Sequence, residues 1–391
     1  MKKLIIALCC LGITGIVNGQ EVSPNVLSAG AEFLRIGPDA RSSAVGNSGI
    51  GFAEDAAALH YNSASIVFFD RSMEVGGSYS SWLKSMGVND VFFGHIGGYY
   101  QLPYNQAAGI QLKYFSMGNI IYKDSYGMEI NRSQPKEMEL SFSYIRKLGK
   151  CFSVGVTPKY IHSSIGNGMV SNGYTLKVAR AFATDVSFAT QFGIGTKMRF
   201  NSGLTLSNIG SKLRYADMGE TSYLPANLGL GIGWKYQISD KQLIRFGGDV
   251  NKLMVPTPVA DRYLDAMHNE VVNPEYDQDK NGIADFKEYG VVKSIFVSFG
   301  DATVQEELKE IGWSIGGEYV YGGVLAFRCG YHHESLLKGG RRYLSTGTGV
   351  HYQSVVFNIS YWSNMSASTT GPLNNTLRFS VLYGLHKATG N

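Results

Sequence analysis

The chain has 391 residues, with 48 Gly, 24 Tyr and 20 Phe, only 17% charged residues and a formal net charge of +4. Soluble domains carry about a quarter charged residues, so this balance argues against a soluble enzyme, and so small and dispersed a positive excess excludes a nucleic-acid binder. Glycine and aromatics at this density suit strands that turn tightly and anchor at a membrane interface.

Residues 1–19, MKKLIIALCCLGITGIVNG, have a basic start (Lys2, Lys3), an apolar run and a small-residue end, the layout of a secretory signal peptide with the mature chain beginning near Gln20. Cys151 and Cys329 then remain, too few for a disulfide framework, and read as two free thiols. No later apolar run is long enough for a transmembrane helix, which leaves a periplasmic, a secreted or an outer-membrane β-barrel protein. Residues 20–70 are rich in Ala, Gly and Ser, with one short helical run from Glu54 to Tyr61. Phe33, Leu34, Ile50 and Phe52 favour a plug segment folded into a lumen over a free tail.

From there, residues 71–386 alternate with period two. In LGLGIGWKY, Leu228, Leu230, Ile232, Trp234 and Tyr236 share one face, and Gly229, Gly231, Gly233 and Lys235 the other. MELSFSY sets Met138, Leu140, Phe142 and Tyr144 against Glu139, Ser141 and Ser143; GIQLKY sets Ile110, Leu112 and Tyr114 against Gln111 and Lys113. The predicted strands are 72–81, 90–101, 106–116, 137–147, 151–163, 175–191, 196–208, 226–237, 241–250, 311–321, 324–333, 344–353, 355–364 and 375–385. A soluble sandwich or propeller also alternates, but segments of about ten residues cross a bilayer at a tilt. The connections alternate too: short turns near residues 102–105, 148–150, 193–195, 239–241 and 322–323, long loops near 117–136, 164–174, 209–225 and 251–310. The pattern predicts an all-β, 14-stranded transmembrane antiparallel β-barrel in a Gram-negative outer membrane, with 251–310 as a long extracellular loop. KSIFVSF, residues 293–299, has strand periodicity but would make the count odd, and is assigned to that loop.

Within the loop, DQDKNGIADFKE places Asp277, Asp279, Asn281, Ile283, Asp285 and Glu288 at positions 1, 3, 5, 7, 9 and 12 of a calcium-type loop, with Gly282 at the sharp turn. A hard divalent cation needs several oxygens around one point, and this spacing supplies carboxylates, the Ile283 carbonyl and a two-oxygen Glu288. The loop is expected to bind Ca2+ and stiffen an extracellular lid. Residues 259–272 are expected to be helical, whereas Gly290 and the β-branched run after it argue against a second helix. Gly312-Trp313-Ser314-Ile315-Gly316 matches G-x-S-x-G inside an alternating strand, the wrong setting for a nucleophile. His332 and His333 should point to opposite faces, and Arg341 and Arg342 read as a solvated or lipopolysaccharide-facing loop tip rather than an anion site. No acid, base and nucleophile set emerges, so the chain is not expected to be an enzyme.

AVGNSGIGFAEDAAALHYNSASI, Ala44 to Ile66, resembles the plug signature of the FadL class of outer-membrane proteins, with Asn62-Ser63-Ala64 where that class has an Asn-Pro-Ala-like element. The mature chain more closely resembles the PorV family of the type IX secretion system. The resemblance is carried by ARSSAVGNSGIGFAEDA near the start, ATDVSFATQFG at 183–193, SFGDA at 298–302, EELKEIGWSIGGEYVYGG, FRCGYHHES at 327–335 and GGRRYLSTGTGVHY at 339–352. It implies a FadL-like barrel in outer-membrane lipid that binds the C-terminal signal domain of secreted cargo. The partners implied are the outer-membrane translocon, which hands the cargo over, and a sortase-like attachment complex, which takes it. The competing expectation is a FadL-like transporter of hydrophobic small molecules, which requires an apolar lumen pocket and a lateral opening.

Overall fold

The computed structural model describes residues 26–84, 87–123, 126–166, 168–171, 174–216, 221–264, 270–365 and 376–386. The expected signal peptide lies outside the described residues. Fourteen strands form one closed antiparallel barrel in which each pairs with its chain neighbours and the last with the first. They are β1 Arg71–Ser81, β2 Val91–Leu102, β3 Gln106–Met117, β4 Lys136–Lys147, β5 Phe152–Ser164, β6 Ala179–Ile194 and β7 Met198–Gly210. The circuit continues with β8 Asn227–Ser239, β9 Gln242–Leu253, β10 Ile311–Tyr321, β11 Leu325–His333, β12 Arg342–Tyr352, β13 Val355–Asn364 and β14 Thr376–His386. Every segment expected from alternation is therefore a strand.

The start of β1, the end of β14 and the short turns share one end of the barrel. Residues 103–105, 148–151, 195–197, 240–241, 322–324 and 353–354 turn there, whereas 82–90, 118–135, 165–178, 211–226, 254–310 and 334–341 cross the other. Gly322 and Gly323 (φ +63° and +69°) show why glycine occupies such a turn, since both residues must take left-handed backbone. In outer-membrane barrels the short-turn end is periplasmic and the long-loop end faces outward.

The alternation has a physical meaning on each face. Leu230 and Ile232 of β8 are 50% and 68% exposed, as acyl-facing side chains are. Gly229, Gly231 and Gly233 point inward because residues 49–52 lie directly against them; a Cβ on Gly233 would stand 2.1 Å from the Gly51 carbonyl oxygen. Glu139 and Lys113, on the polar faces of β4 and β3, meet inside at 2.9 Å with both side chains fully buried.

Residues 31–69 occupy the lumen as short helical turns, including α1 (Ala40–Ala44) and α2 (Ala58–Tyr61). The predicted run from Glu54 thus becomes regular helix only for its last turn. Asp39 caps α1 by accepting from the Ser42 amide at 2.7 Å.

Two expectations for the 254–310 connection are corrected. The part of 259–272 within the described residues is a hairpin, Arg262–Leu264 paired with Glu270–Val272, where β-branched Val271 and Val272 favour extended backbone. After the short α3 (Asp285–Glu288), helices do follow Gly290: α4 (Val291–Val297) and α5 (Val304–Lys309). The β-branched run is helical because intrinsic propensity is a weak prior: Ser294 is buried on one face and Val292 and Phe296 are exposed on another. Residues 293–299 do lie in the connection, as the strand count required.

Candidate functional site

The long-loop end of the barrel holds two arrangements, an acidic loop and a cavity. In the acidic loop, Gly282 takes φ +85°, which folds the chain back over Asp277. The Asp277 carboxylate accepts from the amides of Asn281 (3.0 Å) and Gly282 (2.8 Å). Partial desolvation opposes ionisation of Asp277, but the Gly282 and Asn281 donors outweigh it and hold its carboxyl below the usual range. The Asn281 side-chain amide donates to Asp279 at 3.0 Å and Glu288 at 2.9 Å, and Asp285 accepts from the Gln278 amide at 3.2 Å.

One oxygen each of Asp277, Asp279 and Asp285 lies within 4.8 Å of the others. Oxygens on opposite sides of a calcium ion, at about 2.4 Å each, stand about 4.8 Å apart, so the three fit one coordination sphere. Asn281 brings Glu288 to the edge of this group. Of Ile283, the structure gives an amide donating to the Asn281 side-chain oxygen at 2.8 Å. Helix α3 begins at Asp285, so Glu288 is aimed back at the loop from one helical turn away.

The loop is tethered. Tyr223 places its hydroxyl 2.9 and 2.8 Å from the Phe286 and Tyr289 carbonyls, and Lys212 donates to the Lys287 carbonyl at 2.6 Å. At the far foot of the connection, Lys252 reaches Glu307 and Glu310 at 2.7 and 2.6 Å, and Lys338 reaches Glu306 and Glu310 at 2.6 and 3.1 Å. Both ends of the segment 285–310 are therefore fastened to neighbouring loops or strand ends.

The cavity, about 500 Å³, lies between the lumen segment and the upper barrel wall. Its lining is mixed: Asn208, Asn251 and Asp249 beside Phe33, Trp82 and Trp362. Asp249 accepts from the Gly49 and Ile50 amides at 2.6 and 2.9 Å, which fixes the lumen segment to β9. Arg341 turns toward this space and pairs with Glu334 at 2.5 Å, with Arg35 joining Glu334 at 2.8 Å. The loop-tip expectation fails for Arg341 because Glu334 draws it inward.

Below the cavity the lumen is closed by ion pairs that the sequence reading missed. Glu318 on β10 meets Arg41 at 3.2 Å and Arg328 at 2.5 Å and also pairs with Arg245. Arg41 reaches Asp55 at 3.1 Å, Arg245 reaches Glu54 at 2.7 Å, and Arg71 pairs with Glu74. Glu74 in turn accepts from the Ala56 amide at 2.6 Å. Strand alternation turns Glu318 and Arg328 into the lumen, but nothing local pairs them with residue 41.

Ser314 of the G-x-S-x-G sequence sits in a regular ladder between Asp249 and His332. Its hydroxyl is 2.9 Å from His332 Nδ1, a contact the sequence did not reveal, while His332 Nε2 is 3.9 Å from Glu334. Ser314 is buried in the wall and lacks the strand-to-helix elbow that exposes a nucleophile. His332 points inward and His333 outward, as strand alternation requires. Cys151 and Cys329 are free thiols.

A family model described as type IX secretion system protein PorV matches residues 19–260. No curated protein matches the chain by sequence. Among solved structures, the chain is similar to the toluene transporter TodX of P. putida (TM-score 0.55, 12% identity, covering 90% of this chain and 99% of that one). It is similar to the Ralstonia pickettii toluene transporter TbuX (TM-score 0.53, 11% identity, with 90% and 99% covered). At such identities these likenesses show the fold alone, the closed antiparallel barrel described above.

Proposed function

The chain belongs to the PorV family of type IX secretion system proteins, an outer-membrane component of that system, and on this premise we propose that it is a cargo shuttle. It binds the C-terminal signal domain of secreted cargo, receives it from the outer-membrane translocon and passes it to a sortase-like attachment complex. The observation that best supports this reading is the exposed apolar surface of the outer connection. Val292, Phe296, Val304 and Leu308 are 68%, 74%, 76% and 63% exposed on a segment fastened at both ends. Apolar side chains held open on a fixed frame suit a protein partner, because little ordering cost remains at capture.

The competing reading, transport of a hydrophobic small molecule, takes its support from neighbours named as toluene transporters. It needs an apolar path. In this chain the ladder is closed all round, the cavity lining includes Asp249, Asn208 and Asn251, and Glu318 with its arginines holds the lumen segment to the wall. These features favour the shuttle.

Copurification from the native outer membrane in mild detergent separates the two. The shuttle reading expects secreted proteins sharing a C-terminal domain to come with the barrel, and expects deletion of residues 273–290 or Phe296→Asp to reduce their recovery at least tenfold. Recovery of lipids or aromatic compounds instead, with cargo recovery unchanged in both variants, overturns it.

The acidic loop is part of the same proposal. Asp277, Asp279 and Asp285, with Asn281, Glu288 and the Ile283 carbonyl, take Ca2+ and stiffen the lid. Support comes from the three converging oxygens and from α3 following the loop.

A further inference from the structure

The outward face of the barrel wall is almost wholly apolar, with Phe142, Val156, Leu230, Ile232 and Phe246 each at least 44% exposed. Near the long-loop end, polar side chains enter this face. Arg180 on β6 stands directly opposite His162 on β5, and His162 stands opposite Met138 on β4. Lys136, two residues before Met138, points the same way and pairs in register with Ser164. All three lie at the outer ends of their strands, since β4 begins at Lys136, β5 ends at Ser164 and β6 begins at Ala179. Lys136 and Arg180 are exposed and His162 is half-buried.

Among the described residues, no carboxylate lies within ion-pair distance of Lys136 or Arg180. The acids nearest in sequence, Glu137, Glu139 and Asp185, are buried on the lumen side. This is unlike the lumen, where Lys113, Lys159 and Arg328 each have a carboxylate partner. It is also unlike the second outward His–Arg pair, His333 opposite Arg342. There Arg342 donates to the Glu334 carbonyl at 3.0 Å and His333 stacks on Trp313 at 5.2 Å.

Lys136 and Arg180 stand on the strands to either side of His162, so an anion lying over the histidine would meet one cation from each neighbouring strand. Toward the middle of the membrane, the next outward side chains are Tyr160 and Phe182, with rings 5.4 Å apart and Phe182 70% exposed. An anion that fits must therefore sit where a headgroup meets its acyl chains. The long-loop end places this patch in the outer leaflet, where phosphate is carried on glycolipid.

We propose that Lys136, His162 and Arg180 form a binding site for the phosphate of an outer-leaflet phosphorylated glycolipid, whose acyl chain lies along Tyr160 and Phe182. Charge-assisted hydrogen bonds from the guanidinium and ammonium hold the phosphate, and the aromatic pair sets the depth. A bound lipid at β4–β6 would fix which side of the barrel stays covered while partners approach the others.

The test uses the full-length barrel in dodecyl maltoside, titrated by native mass spectrometry with bis-phosphorylated lipid A, chemically dephosphorylated lipid A and phosphatidylglycerol. The wild-type barrel is expected to retain phosphorylated lipid A in preference to both others. Lys136→Gln with Arg180→Gln should weaken that retention roughly 30-fold, as loss of two cations at a lipid surface implies. Lys136→Arg with Arg180→Lys should preserve it, and heat-modifiable gel migration reports the fold of each variant. Equal retention of phosphorylated and dephosphorylated lipid A, or wild-type retention by the Gln variant, overturns the site. Equal retention of phosphatidylglycerol overturns the glycolipid assignment. Loss of a copurifying outer-membrane protein from the Gln variant with lipid retention intact makes the patch a protein contact and overturns the proposal.

Discussion

Inside the barrel, Glu318 receives guanidinium groups from three elements, through Arg41, Arg245 and Arg328; in the outer connection, Asp277 receives backbone amides, among them those of Asn281 and Gly282. Both sites concentrate carboxylates, but the first is complete within the chain. The second gathers Asp277, Asp279 and Asp285, and among the described residues none of the three forms a salt bridge with a lysine or arginine. A buried ion pair contributes little net stability and much specificity of arrangement, because each charge is costly only when its partner is missing. An exposed acidic loop costs little when empty, and the calcium proposed for it would order it further. The lumen thus holds one arrangement on its own, while the proposed site is where the outer connection would take a ligand.

The largest effect that would break this contrast comes from glycine. A Cβ on Gly330 would lie 2.1 Å from the Gly46 nitrogen and the Val45 carbonyl carbon, backbone atoms that cannot move without unseating the lumen segment. Gly330→Val is expected to abolish the heat-modifiable folded form on gels and to open residues 31–69 to protease. Gly290→Ala, where nothing lies within 4 Å, should leave both unchanged. If Gly330→Val folds normally, the lumen segment does not depend on this wall. Next comes Glu318→Gln, which leaves three guanidinium groups around a neutral amide. Removing one partner of a buried ion pair costs about 3–5 kcal/mol. Urea unfolding of the barrel in detergent should show a loss of that order, and a change below about 1 kcal/mol would mean that water already screens the cluster.

The legibility of these regions in the sequence follows the range of the interactions that made them. Strand alternation is local, so Leu228, Leu230 and Ile232 announced their face directly, and all fourteen strands followed. What the opposite face was for did not follow. Gly229, Gly231 and Gly233 read as small residues, and only the approach of Ile50 and Gly51 explains them. The Arg41–Glu318 pair spans 277 residues and had no local signature. Neither did the contact of Ser314 with His332, which depends on the register of β10 and β11. The acidic loop was legible because its residues are contiguous. Its flanks were misjudged, since Val291–Val297 is helical against the preference of its β-branched residues.

The smallest expected effect tests the incomplete side of the comparison. Extracellular calcium sites work at dissociation constants of about 0.1–1 mM. At 10 mM calcium such a site should favour the closed loop by a factor of roughly 10–100 over the ion-free state. Calorimetric titration of the barrel should show saturable heat of that affinity, and Asp277→Ala should remove it, because Asp277 both joins the oxygen cluster and holds the turn at Gly282. The pH dependence has a definite sign. A carboxyl held below its usual range in the folded loop stays ionised as pH falls past the ordinary aspartate value, and its contribution is lost only as pH falls through the lowered value. Calcium binding should therefore be nearly unchanged from pH 8 to pH 6, and Asp277 should keep its share until pH falls through its lowered value. Equal heats for the wild-type and Asp277→Ala proteins would show that the loop's own amide hydrogen bonds suffice to order it, placing it with the lumen as a self-contained structure.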